Sequence, residues 1–328
     1  LIKAAVVGTG YLGYFHAEKY KRLPHVDLIA VCDVDYLRAK KLAKEFKCEA
    51  LSDYRELEKL ELNCASISSD TSTHYEIAAS LLKAGVDVLV EKPMTTTVEE
   101  AQHLIKLAEQ GDRILQVGHL ERFNPVLKKL REYLHNPWFF EVRRITPFKG
   151  RGADVDVVLD LMIHDIDLLL YLVDRPVVKV EAMGIPVLTP SIDIANARLE
   201  FQGGAVANVS TSRAAFQSER TIRVFQPDKY ISIDLEKKKI KVAERGEGNS
   251  ILGVPNINQT EEKFDMRDAL QDQIAAFVEC VVTRNTPLAS GYDGLKALEM
   301  VALIKQSMRE VASRFGSLPL EVSNALSK

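Results

Sequence analysis

The chain has 328 residues, 46% of them hydrophobic and 27% charged, and carries a formal net charge of -3. That length predicts two domains, and the near-neutral, interspersed charge excludes a broad electrostatic footprint for nucleic acid or an anionic membrane. The longest apolar stretch, 157–173, is broken by Asp160, His164, Asp165 and Asp167, which excludes a lipid-embedded span.

Residues 2–120 alternate short β-branched runs with helical periods. Strands are predicted at Ala4–Val7, Leu28–Val31, Ala65–Ser68, Val86–Val90 and Ile114–Val117, and helices at Tyr11–Leu23, Leu37–Phe46, His74–Ala84 and Val98–Glu109. Buried strands separated by helices imply an α/β, doubly wound parallel sheet. From 121 to 328 the texture becomes α+β. A helix near Pro125–Leu134, a strand near Phe139–Thr146 and one long helix over Val155–Val173 precede six strand-like runs between 177 and 243. Gly203-Gly204, Pro227-Asp228 and Glu236-Lys237 read as turns of a mostly antiparallel sheet. Residues 246–260 are polar and predicted to be a loop, followed by helices near Asp268–Thr283 and Tyr292–Ser313. The domains are therefore expected at 1–120 and 121–328.

The first strand runs into Gly8-Thr9-Gly10-Tyr11-Leu12-Gly13 and then a helix, the context in which this spacing signals dinucleotide binding. Gly8 allows the tight turn, Gly10 lets the backbone approach a pyrophosphate, and Gly13 permits close helix–strand packing. Asp33 closes the second strand, where a carboxylate accepts from ribose hydroxyls and repels a 2′-phosphate; NAD is thus expected over NADP. Arg38 could temper that preference or simply be solvated. Glu91-Lys92-Pro93 follows a strand end at the ligand-binding edge, so Lys92 could hold a substrate oxygen, although a plain surface turn has the same pattern. On the long helix Asp160 and His164 fall one turn apart, with Asp167 and Tyr171 on the same stripe. A carboxylate-oriented histidine can act as general base for alcohol oxidation. The alternative is a satisfied histidine at a domain interface. His16, His74 and His119 are open to packing roles. No metal site is expected: the pair lacks a signposted third ligand. The four cysteines have no CxxC spacing, and the opening Leu1-Ile2-Lys3 carries no leader pattern, so a reducing cytoplasmic setting is expected.

These motifs, in this order along essentially the whole chain, resemble the Gfo/Idh/MocA family, named for glucose-fructose oxidoreductase, inositol dehydrogenase and a rhizopine catabolism protein. The matching segments are Gly8–Gly13, Asp33, Ser69-Asp70-Thr71-Ser72-Thr73-His74, Glu91-Lys92-Pro93, Arg122-Phe123-Asn124-Pro125 and Asp160–His164. The resemblance implies an N-terminal Rossmann domain and a C-terminal α+β domain whose open sheet makes homodimer or homotetramer contacts. It further implies that Lys92 binds the reacting hydroxyl and His164 takes its proton with Asp160 alongside. Ser69, Thr71, His74, Glu91 and Lys92 would join the cofactor site. Two segments depart from the family pattern: Ser69-Asp70-Thr71 replaces Thr-Pro-Asn, and Gly150-Arg151-Gly152-Ala153-Asp154 is a reduced Gly-rich loop.

The segment Gly118–Pro125 is similar to the family's nucleotide-sugar branch, whose members oxidise the 3-hydroxyl of UDP-N-acetylglucosamine. That branch implies cations for a pyrophosphate. Arg122, Lys149 and Arg151, with Arg143 and Arg144, are candidates beside Asn124, unless they merely solvate a sheet edge. Rival expectations are an inositol, simple-aldose or trans-dihydrodiol dehydrogenase, a biliverdin-reductase-like enzyme, and an NAD-binding sensor or scaffold without turnover.

Overall fold

The computed structural model describes residues 1–148, 155–249, 255–265 and 267–314. Its contacts divide the chain into unit 1, Leu1–Phe123 with Asp268–Leu298, and unit 2, Asn124–Arg267 with the chain from Glu299 onward. In unit 1 the apolar runs become parallel strands β1 (Ile2–Val7), β2 (Val26–Cys32), β3 (Glu49–Leu51), β4 (Cys64–Ile67), β5 (Asp87–Val90) and β6 (Leu115–Val117), in the order β3-β2-β1-β4-β5-β6. Helices α1 (Tyr11–Arg22), α2 (Tyr36–Phe46), α3 (Thr71–Lys83) and α4 (Val98–Gly111) form the crossovers. The order reverses between β1 and β4, which opens a crevice beyond their carboxyl ends. β4 and β5 are buried at every position, hence their mostly apolar sequence, in which Ser66 and Asp87 are each hydrogen-bonded. Thr97 and Glu100 close a capping box on α4, a local device that stabilises by about 1 kcal/mol.

Unit 2 contains α5 (Pro125–Tyr133), β7 (Phe139–Pro147), a π-helical turn (Val158–Met162) leading into α6 (Ile163–Val173), and strands β8 (Val177–Ile185), β9 (Ile194–Phe201), β10 (Val206–Ala215), β11 (Glu219–Gln226), β12 (Lys229–Asp234), β13 (Lys239–Asn249) and β14 (Pro255–Lys263). The sheet order is β14-β13-β12-β11-β7-β10-β9-β8, antiparallel throughout except the β7–β10 pair. Alternation puts Phe140, Val142, Leu199, Val209, Ile222 and Val224 on the buried face.

Three expectations change here. Within 246–260, predicted as loop, 246–249 end β13 and 255–260 belong to β14, which pairs with β13; β14 is exposed almost throughout, so no apolar alternation marks it. The predicted single helix over 155–173 starts instead with the wider π turn. Gly203 and Gly204, both with positive φ, sit within a four-residue rather than two-residue connection between β9 and β10.

The carboxyl-terminal return begins with α7 (Ala269–Thr283), capped by the Asp268 side chain, and continues through α8 (Gly291–Arg314). Ile274, Phe277 and Val281 of α7 share a core with Ala4, Val6, Tyr20 and Leu28. Lys19 meets Asp268 at 2.9 Å, and Arg284 reaches Asp87 at 2.5 Å. Residues 268–298 thus belong with unit 1, whereas the expected boundary at 120/121 assigned them to the second domain.

One buried charge ties the entry to the π turn. Asp193, fully buried, accepts from the amides of Val187, Leu188 and Thr189 and, at 2.6 Å, from Arg213 Nε; Arg213 Nη1 donates to the Val155 carbonyl at 2.7 Å. Burial pushes the Asp193 carboxyl up, but the amides and the guanidinium outweigh it and hold it far below the usual range. Asp193→Asn is expected to cost unit 2 about 3–5 kcal/mol, read from the denaturant midpoint, because Arg213 then loses its buried counter-charge. The folded pKa lies below the unfolded one. The parent's advantage is therefore full above the ordinary Asp value of about 3.9 and fades as pH falls below it, an acid limb that the variant lacks.

Candidate active site

The fingerprint turn is built around missing side chains. Gly8 has φ 87°, and a Cβ there would stand 2.5 Å from Ser69 N; one on Gly13 would stand 1.7 Å from the Gly8 carbonyl oxygen. At Gly10 a Cβ would meet nothing within 4 Å, and Gly10 itself borders a cavity of about 520 Å³. Gly8, Asp33, Arg38, Ser69 and Thr73 also border it, as do Asp53, Tyr54, Arg55 and Glu76. Helices α2, α4, α5 and α7 have side-chain caps, while α1 and α3, whose N-cap residues Gly10 and Asp70 line the cavity, have none. Two helix N-termini without side-chain caps can receive a diphosphate.

Asp33 is buried and sits at the end of β2. Its Oδ2 accepts from the Thr9 amide and hydroxyl, each at 2.8 Å, and its Oδ1 from the Asp35 amide at 2.9 Å. Burial raises its pKa, but these donors and Arg38, 3.7 Å away, bring it below the usual carboxylate value. The carboxylate therefore stays charged and can also accept from a ribose. The neighbouring Cys32 thiol is pushed up to about 12 by burial and stays protonated. Tyr11 and Leu12 are exposed at the turn's outer lip, and Thr71 opens α3 without lining the cavity. These residues suit a dinucleotide: room, a backbone cradle, donors for phosphate and an acceptor for ribose.

The loop after β5 carries Lys92. Glu91 is nearly buried and hydrogen-bonded to His16 Nε2 at 3.1 Å, and a Cβ on Gly118 would meet its carboxyl group at 2.7 Å. Burial raises the Glu91 pKa, yet His16 and Lys92 outweigh it and keep the group ionised. His74, expected at the cofactor, is 1% exposed with both ring nitrogens on backbone carbonyls: Nδ1 at 2.9 Å from Pro93 O and Nε2 at 3.0 Å from Ser69 O. Burial lowers its pKa against those two acceptors.

In unit 2 the Asp156 side chain accepts from the Val158 and Leu159 amides at 3.0 Å, starting the π turn that holds Asp160; His164 lies in the first turn of α6. Beside it, buried Asp165 accepts a fork from Arg144, Nε and Nη2 each at 2.9 Å. Asp167 is also buried, and the Tyr171 hydroxyl accepts from Arg131 at 2.6 Å. Arg144, a candidate for a substrate phosphate, is instead internal: a bidentate buried pair occupies it. Arg122 is likewise buried, donating to the Leu288 carbonyl at 2.7 Å and meeting Asp293 at 3.2 Å. Asn124 caps α5 through its oxygen and donates to the Leu235 carbonyl at 3.1 Å. Both side chains brace their own units. Lys149 and Arg151 lie outside the described residues.

Two family models match. One, described as an oxidoreductase family with an NAD-binding Rossmann fold, covers residues 2–119; the other, the GFO/IDH/MocA C-terminal domain, covers 133–232. The chain is 33% identical over 314 residues to the UDP-N-acetylglucosamine 3-dehydrogenase of Acidithiobacillus ferrooxidans, covering 95% of this chain and 99% of that protein. The chain belongs to the Gfo/Idh/MocA oxidoreductase family. The solved structure of that Acidithiobacillus enzyme matches with a TM-score of 0.88 at 34% identity, over 94% of this chain and 98% of the other. Among further Gfo/Idh/MocA relatives, the myo-inositol 2-dehydrogenase of Thermotoga maritima is 28% identical, covering 95% of this chain and 98% of that one. The family's oxidoreductase character and NAD-binding domain thus hold for this chain. Among the described residues no helix is long and apolar enough to cross a membrane.

Proposed function

We propose that this chain oxidises a hydroxyl of a nucleotide sugar to a ketone, with the 3-hydroxyl of UDP-N-acetylglucosamine as the reacting group and NAD as acceptor. The observation that carries the substrate is the likeness to the Acidithiobacillus enzyme across both domains. NAD supplies the hydride acceptor when bound, in the cradle of Gly8, Gly10 and Asp33. Lys92 holds the hydroxyl oxygen and stabilises negative charge as its proton leaves. His164 takes that proton, with Asp160 of the π turn alongside to orient the imidazole. Lys149 and Arg151, with Arg143, half-exposed and facing Glu219 at 3.4 Å on the surface, are assigned to the substrate diphosphate in preference to Arg122 and Asn124, whose groups are buried with structural partners.

The preference for NAD rests on the ionised Asp33. Asp33→Asn keeps an acceptor for the Thr9 amide but removes the charge, and should narrow the NAD-over-NADP affinity ratio by roughly tenfold, read by fluorescence titration. An unchanged ratio would move the preference elsewhere. The exposed sheet face carrying Met183, Ile185 and Ile194 is proposed as the face of self-association, in a cytoplasmic dimer or tetramer.

The test mixes protein and NAD with UDP-N-acetylglucosamine, UDP-glucose, myo-inositol and free aldoses, with a 2-oxo acid in parallel to recycle reduced cofactor. NADH with a 3-keto UDP-sugar, identified by mass spectrometry, supports the reading. Turnover of myo-inositol alone would favour the second reading, to which the Thermotoga relative points. NAD binding without any turnover would favour a sensor, for which Lys92, Asp160 and His164 have no use.

A further inference from the structure

Lys92 is bracketed by two buried histidines. The residue before it, Glu91, has its carboxylate on His16 Nε2 at 3.1 Å, and the residue after it, Pro93, has its carbonyl on His74 Nδ1 at 2.9 Å. His16 is completely buried on α1 and His74 almost so on α3, the two helices whose N-cap residues line the cavity. A carboxylate only accepts, so His16 Nε2 carries the N–H toward Glu91; His74, neutral with a carbonyl at each ring nitrogen, is lodged between the Lys92 loop and the Ser69 loop and has one N–H for the two. His74 also faces the Ser69 carbonyl at 3.0 Å, on the loop that borders the cavity. On the third side the Glu91 carboxylate packs against Gly118, in the space that a Cβ there would need, 2.7 Å away.

We propose that His16 and His74 are positioning residues for Lys92, fixing the loop on both sides of it so that its ammonium is presented at one place. The inference rests on the reading of Lys92 as the group that holds the reacting hydroxyl. Neither histidine touches substrate. Their effect is to tie the lysine to the two helices that receive the dinucleotide, so that the seating of the cofactor and the placement of the ammonium share one set of buried hydrogen bonds. Packing alone would require an apolar ring-sized side chain at each position, and leucine supplies most of that volume without the N–H.

The test compares His16→Leu and His74→Leu with His16→Gln and His74→Gln in the full chain, using NAD and UDP-N-acetylglucosamine. The leucine variants should lose about 10–100-fold in kcat with a far smaller change in the KM for NAD, as for other groups that orient a reacting side chain. Glutamine, whose carboxamide nitrogen restores N–H donation, should recover most of the loss. A second readout needs no substrate: acetylation of Lys92 relative to exposed Lys106, followed by peptide mass spectrometry. The relative rate should change at least about threefold in the leucine variants, the equivalent of half a pKa unit. If leucine disrupts folding, the glutamine variants carry the acetylation arm: a flexible carboxamide fixes the loop less firmly than the ring and should still alter the rate, by less than leucine does. Parent-like kcat and acetylation in folded histidine variants would overturn the proposal. Lys92→Ala separates the two claims. Undiminished turnover there removes the role of Lys92 and this inference with it, whereas loss there beside normal histidine variants overturns this inference alone.

Discussion

Lys92→Ala is expected to lower kcat by about three orders of magnitude while changing NAD affinity less than tenfold. The lysine follows β5 at the carboxyl edge of the sheet, next to an ionised Glu91, and does not line the cavity formed by Gly8, Gly10, Asp33 and Tyr54. Its ammonium is needed when charge builds on the departing hydroxyl oxygen, and less when the dinucleotide is simply bound. Pre-steady-state turnover measures the first quantity and a fluorescence titration with NAD the second. Equal losses in both would mean that Lys92 serves cofactor binding and not the chemical step.

The second large effect concerns Gly13. Alanine there would place its Cβ 1.7 Å from the Gly8 carbonyl oxygen, 2.8 Å from the Gly8 carbonyl carbon and 2.9 Å from Ser68 Oγ. The first two are backbone atoms of the turn itself, so relief requires the turn to open. We expect a loss of roughly 3 kcal/mol in stability, at the upper end for overpacking, together with loss of measurable NAD binding. Gly10→Ala is the informative partner. Its Cβ would meet no protein atom within 4 Å, so the denaturant midpoint should stay close to the parent's while the added methyl intrudes on the cavity and weakens NAD. A Gly13→Ala protein with parent stability and affinity would contradict the close helix–strand approach on which the cradle depends.

Much of unit 1 is legible in the sequence because its strands are buried on both faces and its turn needs glycines at fixed spacing. β3 escapes because Glu49-Ala50-Leu51 is too short to show a period. β14 escapes for the opposite reason: an exposed strand has no apolar side to reveal. Periodicity tells which face of α7 is buried but not against what, so its place beside α1 follows only from the fold. The π turn is invisible to a 3.6-residue template, although Asp156 ahead of the apolar run is a recognisable start signal.

Side-chain partners are harder still. His16 and Glu91 stand 75 positions apart, and no local pattern joins them. Arg144 left a usable trace: it follows Phe140 and Val142 on the buried side of β7, which points its guanidinium inward and calls for an acid such as Asp165. The same logic separates Arg144 from Arg143, which faces outward and meets the surface carboxylate of Glu219. Arg122 and Asn124 gave no such trace, since an arginine in a turn and an asparagine before a proline fit a binding loop as well as a brace.

The most direct test of the account uses UDP-N-acetylglucosamine carrying deuterium at carbon 3, in a single turnover with NAD. The account predicts a slower reaction than with the unlabelled sugar, a 3-keto product that has lost the deuterium, and loss of that turnover in Lys92→Ala. A product that keeps the deuterium, formed at the unlabelled rate, would contradict oxidation at carbon 3 and with it the roles given to Lys92 and His164.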